Sequence, residues 1–135
     1  MIVDASVAMK WLVAEEDTDI ANRLIGRDYL AAPELIACEI ANGIWKKWVR
    51  KQLTAVPQRL PFVLQLFDEV FPVTPYAFRA AELAVELDHP AYDCFYLALA
   101  EARGDVVVTA DARFIAKLAV TPFAQLVIPL SEVAA

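Results

Sequence analysis

Histidine and cysteine are scarce in this sequence, with one histidine and two cysteines among 135 residues. The cysteines, Cys38 and Cys94, are far apart and form no CxxC arrangement, so we expect two small core hydrophobes and no disulfide framework. Because His89 is the only imidazole, the chain also lacks the clustered ligands that a zinc site requires.

Long apolar runs and a basic leader are also missing. No run approaches the roughly 18 apolar residues that a membrane-crossing helix needs. The start, MIVDASVAMKWL, places no basic residue before its first apolar ones, so we expect no signal peptide and a soluble, cytoplasmic protein. Hydrophobic residues still make up 59% of the chain. That content excludes disorder and requires either a dense core or a partner that covers part of the surface.

Charge is distributed unevenly along the chain. The net charge of −6 and the pI of about 4.7 argue against passive, charge-driven binding of nucleic acid. They do not argue against an enzyme that meets phosphates through a bound metal. No acid occurs between Glu39 and Asp68, but that segment holds five cations, Lys46, Lys47, Arg50, Lys51 and Arg59.

Short apolar runs alternate with helical patterns. Strands are predicted at residues 1–3, 29–33, 71–75, 106–109 and 126–129. Helices are predicted at residues 6–16, 17–27, 33–51, 57–70, 76–87, 89–104 and 111–119, with Ser6 as a cap, Pro33 and Pro90 at starts and Gly104 at a stop. This alternation predicts an α/β fold with helices on both faces of a parallel sheet. Without a repeat or a linker, residues 1–135 are predicted to form a single domain.

Two of the predicted strands end in an acid and a hydroxyl. Asp4 directly follows the first strand, and Thr109 closes the fourth strand two residues before Asp111. Sites in open α/β sheets form at the carboxyl ends of strands, so Asp4 and Asp111 come within reach of one cation if these strands are neighbours. The alternative is that each aspartate only caps the helix that follows it.

The helix predicted from Pro33 has two different faces. At about 100° per residue, one face is predicted to be core and comprises Ile40, Ala41, Ile44, Trp45 and Trp48. The opposite face carries a carboxylate, an amide and two cations, namely Glu39, Asn42, Lys46 and Arg50. It is either a simple solvated face or a metal ligand followed by a phosphate-binding track.

Asp93 lies at the start of a helix that is otherwise apolar. A first-turn acid complements the helix dipole, which would explain Asp93 on its own. The rest of the helix is apolar all round, which predicts burial, and a carboxylate entering a buried layer must be paired or bound to a metal. No arginine or lysine lies in residues 89–102. We therefore expect its partner to come from elsewhere, for example a divalent cation shared with Asp4 and Glu39.

Oxygen ligands of this kind suit Mg²⁺ or Mn²⁺ and the metal-assisted attack of water on a phosphodiester. The motifs IVDAS, PELIACEIANGI, AYDCFYLALA and VVVTADARF, in this order and spacing, resemble the PIN-domain family over essentially the whole chain. The resemblance is closest to the VapC-type ribonuclease toxins of toxin–antitoxin pairs.

That resemblance implies an α/β/α sandwich with a central parallel sheet, an acidic pocket that binds Mg²⁺ or Mn²⁺, and endonucleolytic cleavage of RNA. It assigns the acidic quartet to Asp4, Glu39, Asp93 and Asp111, the hydroxyl to Thr109, and supporting positions to Ser6 and Asn42. Lys46 and Arg50 would guide RNA. The resemblance also implies a homodimer and a small antitoxin partner that masks the pocket. Ala112 and Arg113 follow Asp111 where some relatives carry further acids, which leaves the number of metals open.

The sequence also bears on other function classes. A non-catalytic, PIN-like interaction module is the main alternative, although four intact acids argue against it. A receiver domain needs an acceptor aspartate near mid-chain, where residues 40–67 contain no acid, and a dehalogenase-like phosphatase needs DxD where this chain has Asp-Ala-Ser. The apolar excess in Trp11, Trp45, Trp48 and residues 60–67 is predicted to be mostly core, with a dimer or antitoxin surface that includes residues 57–67 as a further hypothesis.

Overall fold

A computed structural model of the chain describes residues 1–133. Within these residues, five short strands form one sheet in the order β3-β2-β1-β4-β5, and every neighbouring pair is parallel. The strands are β1 (Ile2–Val3), β2 (Ala31–Pro33), β3 (Glu69–Phe71), β4 (Val107–Thr109) and β5 (Val127–Pro129). The predicted parallel α/β architecture is confirmed.

In the described part of the chain, seven α-helices connect and flank the strands. They are α1 (Ala5–Leu12), α2 (Thr18–Leu24), α3 (Leu35–Val49), α4 (Leu60–Leu64), α5 (Ala77–Leu87), α6 (Ala91–Arg103) and α7 (Ala112–Ala119). Short 3-10 turns occupy Thr74–Tyr76, Ala124–Leu126 and Leu130–Glu132. Within residues 1–133, no helix has the length and apolar character needed to cross a membrane.

Helix α6 lies against the three central strands of the sheet. Six of its residues are buried, and the helix packs on α5 and on strands β1, β2 and β4. It ends at Gly104, whose φ of 62° places it in the left-handed region that terminates helices. The predicted burial of this helix is confirmed, and Asp93 lies in the first turn of a helix whose middle is buried.

The region between α3 and α5 differs most from the prediction. The helix expected over residues 57–70 covers only Leu60–Leu64, and the strand expected over residues 71–75 lies earlier, at Glu69–Phe71. Strand β3 pairs with β2 through Ala31 opposite Glu69 and Pro33 opposite Phe71, so backbone pairing overrides the helical pattern of this segment. The prolines at 72 and 75 cannot donate to a strand ladder, which ends β3 before them.

Helix boundaries also differ in detail. Asp4, and not Ser6, caps α1, because the Asp4 carboxylate accepts hydrogen bonds from the backbone N–H groups of Ser6 and Val7. Pro33 closes β2 instead of starting α3. Pro90 lies one residue before α6, as its cap.

Helix α3 buries a narrower stripe than predicted. Its buried residues are Ile36, Ile40 and Ile44, which face α1 and β2. Trp45 and Trp48 are 57% and 59% exposed, so their assignment to the core face was wrong, as was that of Ala41. Cys38 is exposed as well, because it lies opposite the isoleucine stripe, whereas Cys94 is buried as expected.

The other expected core residues behave differently from one another. Trp11 is buried, and its indole Nε1 donates a hydrogen bond to the Ala21 carbonyl at 2.9 Å. Phe62 in α4 is 68% exposed, although the sequence favoured a core role for most of residues 60–67. With Trp45 and Trp48, Phe62 contributes to the large exposed apolar side chains of the described chain.

Candidate active site

The carboxyl ends of β1 and β4 form the edge at which the predicted acids gather. The two strands are adjacent, with Val3 opposite Val108, and the Asp4 backbone N–H donates to the Val108 carbonyl at 3.2 Å. Asp4 and Thr109 therefore lie at the same end of neighbouring strands. The condition that the sequence argument set for bringing Asp4 close to Asp111 is met.

Asp4 both caps a helix and occupies a buried site. Its Oδ1 accepts from the Ser6 N–H at 3.0 Å, from the Val7 N–H at 3.3 Å and from the Ser6 hydroxyl. The residue is only 6% exposed, and burial raises its pKa to about 6, with the charge of Asp93 adding to the rise and the hydrogen bonds opposing it.

Two hydroxyls connect Asp4 with Asp111. Thr109 is fully buried; its Oγ1 accepts from the Asp111 N–H at 3.0 Å and lies 3.4 Å from the Ser6 Oγ. The Ser6 Oγ also accepts from the Ala110 N–H at 2.9 Å. Asp111 in turn caps α7, because its Oδ1 accepts from two backbone N–H groups of that helix. The capping interpretation therefore holds for both aspartates without excluding a second role.

Glu39 projects from α3 into a partly buried position. Its Oε1 is buried without a hydrogen-bond partner within residues 1–133, and so is the hydroxyl of Tyr96 in α6. Burial raises the pKa of Glu39 to about 7, and the charges of Asp93 and Asp4 raise it further. The nearby Tyr96 hydroxyl, which approaches Glu39 without completing a well-formed hydrogen bond, and the charge of Lys46 oppose the shift. An unpartnered buried carboxylate oxygen is costly in an isolated fold, and a cation would satisfy it.

Asp93 has a partner that the sequence argument missed. The His89 Nε2 lies 2.6 Å from Asp93 Oδ2, one helical turn earlier, and the His89 ring stacks on Phe114 with 5.2 Å between centroids. The expectation that the partner comes from outside this segment was therefore wrong for the structure as it stands. The sequence feature that indicates this pair is the i, i+4 spacing of His89 and Asp93, because side chains four residues apart are neighbours on a helical turn.

The structure brings three of the four acids into one electrostatic cluster. Asp4, Glu39 and Asp93 repel one another, as the causes of the raised pKa values show, whereas Asp111 joins through Thr109. Among residues 1–133, no three carboxylate, imidazole or thiol groups are placed to contact one ion. The donor chemistry of these carboxylates fits a hard divalent cation.

The sequence model of the PIN-domain family matches residues 1–119 of this chain. This chain belongs to the PIN-domain family. Ribonuclease VapC9 of Mycobacterium tuberculosis is 36% identical over 115 residues, which cover 84% of this chain and 87% of that protein.

Two solved structures share the fold of this PIN domain. The crystal structure of PAE2754 from Pyrobaculum aerophilum aligns with a TM-score of 0.68 and 31% identity, covering 96% of this chain and 83% of that one. A toxin–antitoxin complex from Klebsiella pneumoniae aligns with a TM-score of 0.69 and 17% identity, covering 96% of each chain. The predicted α/β/α sandwich with a central parallel sheet is therefore confirmed.

Basic side chains of the PIN domain lie beside the acidic cluster. Lys46 and Arg50 are exposed on α3 and form no ion pair within residues 1–133, whereas Lys47 pairs with Glu15 at 3.0 Å. Both line a groove of about 370 Å³ that Ser6 and Ala110 also border. Asn42 is exposed one helical turn from Glu39, in a second groove that includes Lys46.

Proposed function

We propose that this PIN-domain protein is a metal-dependent endoribonuclease of the VapC type. The observation that carries the proposal is the cluster of Asp4, at the carboxyl end of β1, with Glu39 of α3 and Asp93 of α6, in which a buried Glu39 oxygen has no well-formed hydrogen bond. The similarity to a VapC ribonuclease over most of the chain supports the same activity.

Each side chain then has a defined task. Asp4, Glu39, Asp93 and Asp111 would hold Mg²⁺ or Mn²⁺, which lowers the pKa of a bound water and offsets charge on the phosphoryl oxygens. Thr109 and Ser6 hold Asp4 and the turn before Asp111 in position through their hydroxyls. Asn42 lies beside Glu39, and Lys46 and Arg50 offer cations to the RNA backbone.

A non-catalytic interaction module is the second candidate, and the energetics of the site disfavour it. Burial and mutual repulsion raise the pKa values of Asp4 and Glu39, so keeping both ionised at neutral pH destabilises the metal-free fold. A non-catalytic module gains nothing from this loss of stability. In a catalytic site, the same ionised carboxylates provide affinity for a cation.

We also propose an antitoxin partner and a homodimer for this protein. The exposed Trp45, Trp48 and Phe62 offer apolar surface of the kind that protein partners cover. The fold is shared with a chain of a toxin–antitoxin complex, which is consistent with such a partner. Location in the cytoplasm stays a prediction.

Residues 1–135 are proposed to act as one domain, although the family model ends at residue 119. Strand β5 lies beyond that point and still pairs with β4, through Val107 opposite Val127 and Val108 opposite Ile128. The sheet therefore continues into the unmatched part of the chain.

The proposed activity predicts cation-dependent cleavage of single-stranded RNA. We expect purified protein to cut cellular RNA internally with Mg²⁺ or Mn²⁺ present and to lose this activity in EDTA. Sequencing of RNA 5′ ends after a brief incubation measures the cut sites. Unchanged RNA with both cations, or equal cleavage in EDTA, would contradict the proposal.

Lys46 and Arg50 form a basic track along α3, and we expect their loss to impair RNA binding more than the chemical step. We expect Lys46→Ala and Arg50→Ala each to raise KM for RNA about 3- to 10-fold and to reduce the salt dependence of binding by about one charge, with kcat nearly unchanged. Steady-state cleavage at several salt concentrations measures both. Arg23→Ala on α2 serves as the control, since Arg23 lines neither groove. A KM as low as that of this control would remove Lys46 or Arg50 from the RNA path.

A further inference from the structure

An exposed aromatic ring lies directly beside the acidic cluster. Tyr92 precedes Asp93 in the first turn of α6, and it is 63% exposed. Its hydroxyl forms no hydrogen bond within residues 1–133, and more than half of the residue faces solvent. A large ring held open at this position calls for an explanation that core packing does not give.

Tyr92 lines a groove of about 570 Å³ that runs between α1, α3 and α6. Helix α3 contributes Leu35, Cys38 and Asn42 to the lining, and α1 contributes Met9. The volume falls in the range of roughly 300 to 1,000 Å³ that is typical of pockets for small ligands. Besides the charged Glu39 and Lys46, the groove offers apolar side chains, one amide and one exposed ring, which suit a flat, partly polar group.

The groove is continuous with the basic track described above. Ser6, Met9 and Lys46 line both grooves, and Glu39 lies in the wall of the larger one. A chain that follows Lys46 and Arg50 with its phosphates therefore passes the carboxylates and reaches the Tyr92 ring within the same depression. The cations on this path are what a polyanion requires, and they do not favour a basic peptide.

We propose that this groove is a nucleobase site, in which one unstacked base of a single-stranded RNA stacks on Tyr92 next to the scissile phosphate. Single-stranded RNA is recognised by splaying bases onto aromatic rings, and an amide such as that of Asn42 can both donate to and accept from a base edge. The site makes Tyr92 a determinant of substrate selection. This inference rests on the proposed ribonuclease function.

The test compares two substitutions at Tyr92 on a short oligoribonucleotide that the wild-type protein cleaves. Tyr92→Ala is expected to raise KM about 5- to 100-fold with a smaller change in kcat, which is the effect of losing one base–aromatic stack. Tyr92→Phe is expected to stay within about twofold of wild type, because stacking uses the ring. Phe78→Ala on α5 is the control, since Phe78 is 79% exposed and lies outside the groove.

A second measurement locates the base. Single abasic substitutions along the oligonucleotide should raise KM at one position beside the cleaved bond, and that increase should vanish in Tyr92→Ala, because the same contact is already lost. Binding of the same series to Asp93→Asn, which is expected to be inactive, gives the affinities without turnover. Melting temperatures of all variants verify that they are folded.

The possible results distinguish failure of the nucleobase site from failure of the proposed ribonuclease function. If wild type cleaves RNA but Tyr92→Ala matches Phe78→Ala, the nucleobase site is overturned and the ribonuclease stands. If Tyr92→Ala leaves KM for RNA unchanged but weakens binding of a co-expressed partner protein, the groove is a protein site and the inference is overturned. If wild type neither cleaves nor binds RNA, both fall.

Discussion

Asp93→Asn reduces RNA cleavage by about a thousandfold or more, an expected loss on the order of 4 kcal/mol of transition-state stabilisation. The substitution removes one of the three coupled carboxylates and leaves an amide, which is a poor ligand for a hard cation. The amide oxygen can still accept from the His89 Nε2, which lies 2.6 Å from the carboxylate in the wild type. The variant should therefore fold normally, and cleavage of a defined RNA in Mg²⁺ measures the loss.

Asp88→Asn is the matched control for this prediction. It makes the same chemical change five residues earlier, at an exposed position whose φ of 49° asparagine adopts readily. Its cleavage rate should equal that of wild type. Full Mg²⁺-dependent activity of Asp93→Asn, with an unchanged melting temperature, would remove Asp93 from the site.

Glu39→Gln is expected to inactivate the protein and at the same time to stabilise its metal-free form at pH 8. Burial raises the pKa of Glu39 from 4.5 to about 7, so the folded protein holds this proton more tightly than the unfolded chain does. The associated stability is fully present below pH 4.5 and is lost as pH rises to about 7. Glutamine resembles the protonated form and avoids this loss, which is at most about 3 kcal/mol at 1.36 kcal/mol per pKa unit.

Denaturant unfolding at pH 5 and pH 8, in EDTA and in Mn²⁺, measures this prediction. Metal-free wild type should be less stable at pH 8, and Mn²⁺ should restore its stability there, because a cation favours the ionised carboxylates. Glu39→Gln should show a weaker pH dependence, with the remainder due to Asp4, whose pKa is raised to about 6. Glu86→Gln on the exposed side of α5 is the control. A metal-free wild type that gains stability between pH 5 and pH 8 would contradict the burial of these charges.

Features that depend on strand ends could be predicted from sequence. The β-branched run before Thr109 and the apolar start before Asp4 specify buried parallel strands, and the ends of adjacent strands meet at one edge of the sheet. Asp4, Thr109 and Asp111 follow from that rule alone. Asp93 required the additional argument that a carboxylate entering a buried layer needs a partner. Glu39 required the argument that a carboxylate followed by cations along one helix face suits a metal and a phosphate backbone.

Other features of the fold and the site depend on tertiary contacts, which the periodicity of a sequence does not predict. The helical pattern before Glu69 gave way to pairing with β2, because ladder hydrogen bonds outweigh local propensity. The predicted burial of Trp45 and Trp48 was wrong, because a helical wheel gives the direction of a side chain but not whether another element packs against it. The raised pKa of Glu39 depends on how closely α1, α3 and α6 approach, which one-dimensional spacing cannot give.

The distribution of the three tryptophans gives this protein an optical signal of its own. Trp11 is enclosed and hydrogen-bonded, whereas Trp45 and Trp48 face water on one helix, so their emission should be red-shifted and open to a soluble quencher. Docking of another chain over that end of α3 would shift their emission to the blue and shield them, while Trp11 serves as an internal reference. Assembly on this face can thus be followed in unlabelled protein, independently of any assay that consumes RNA.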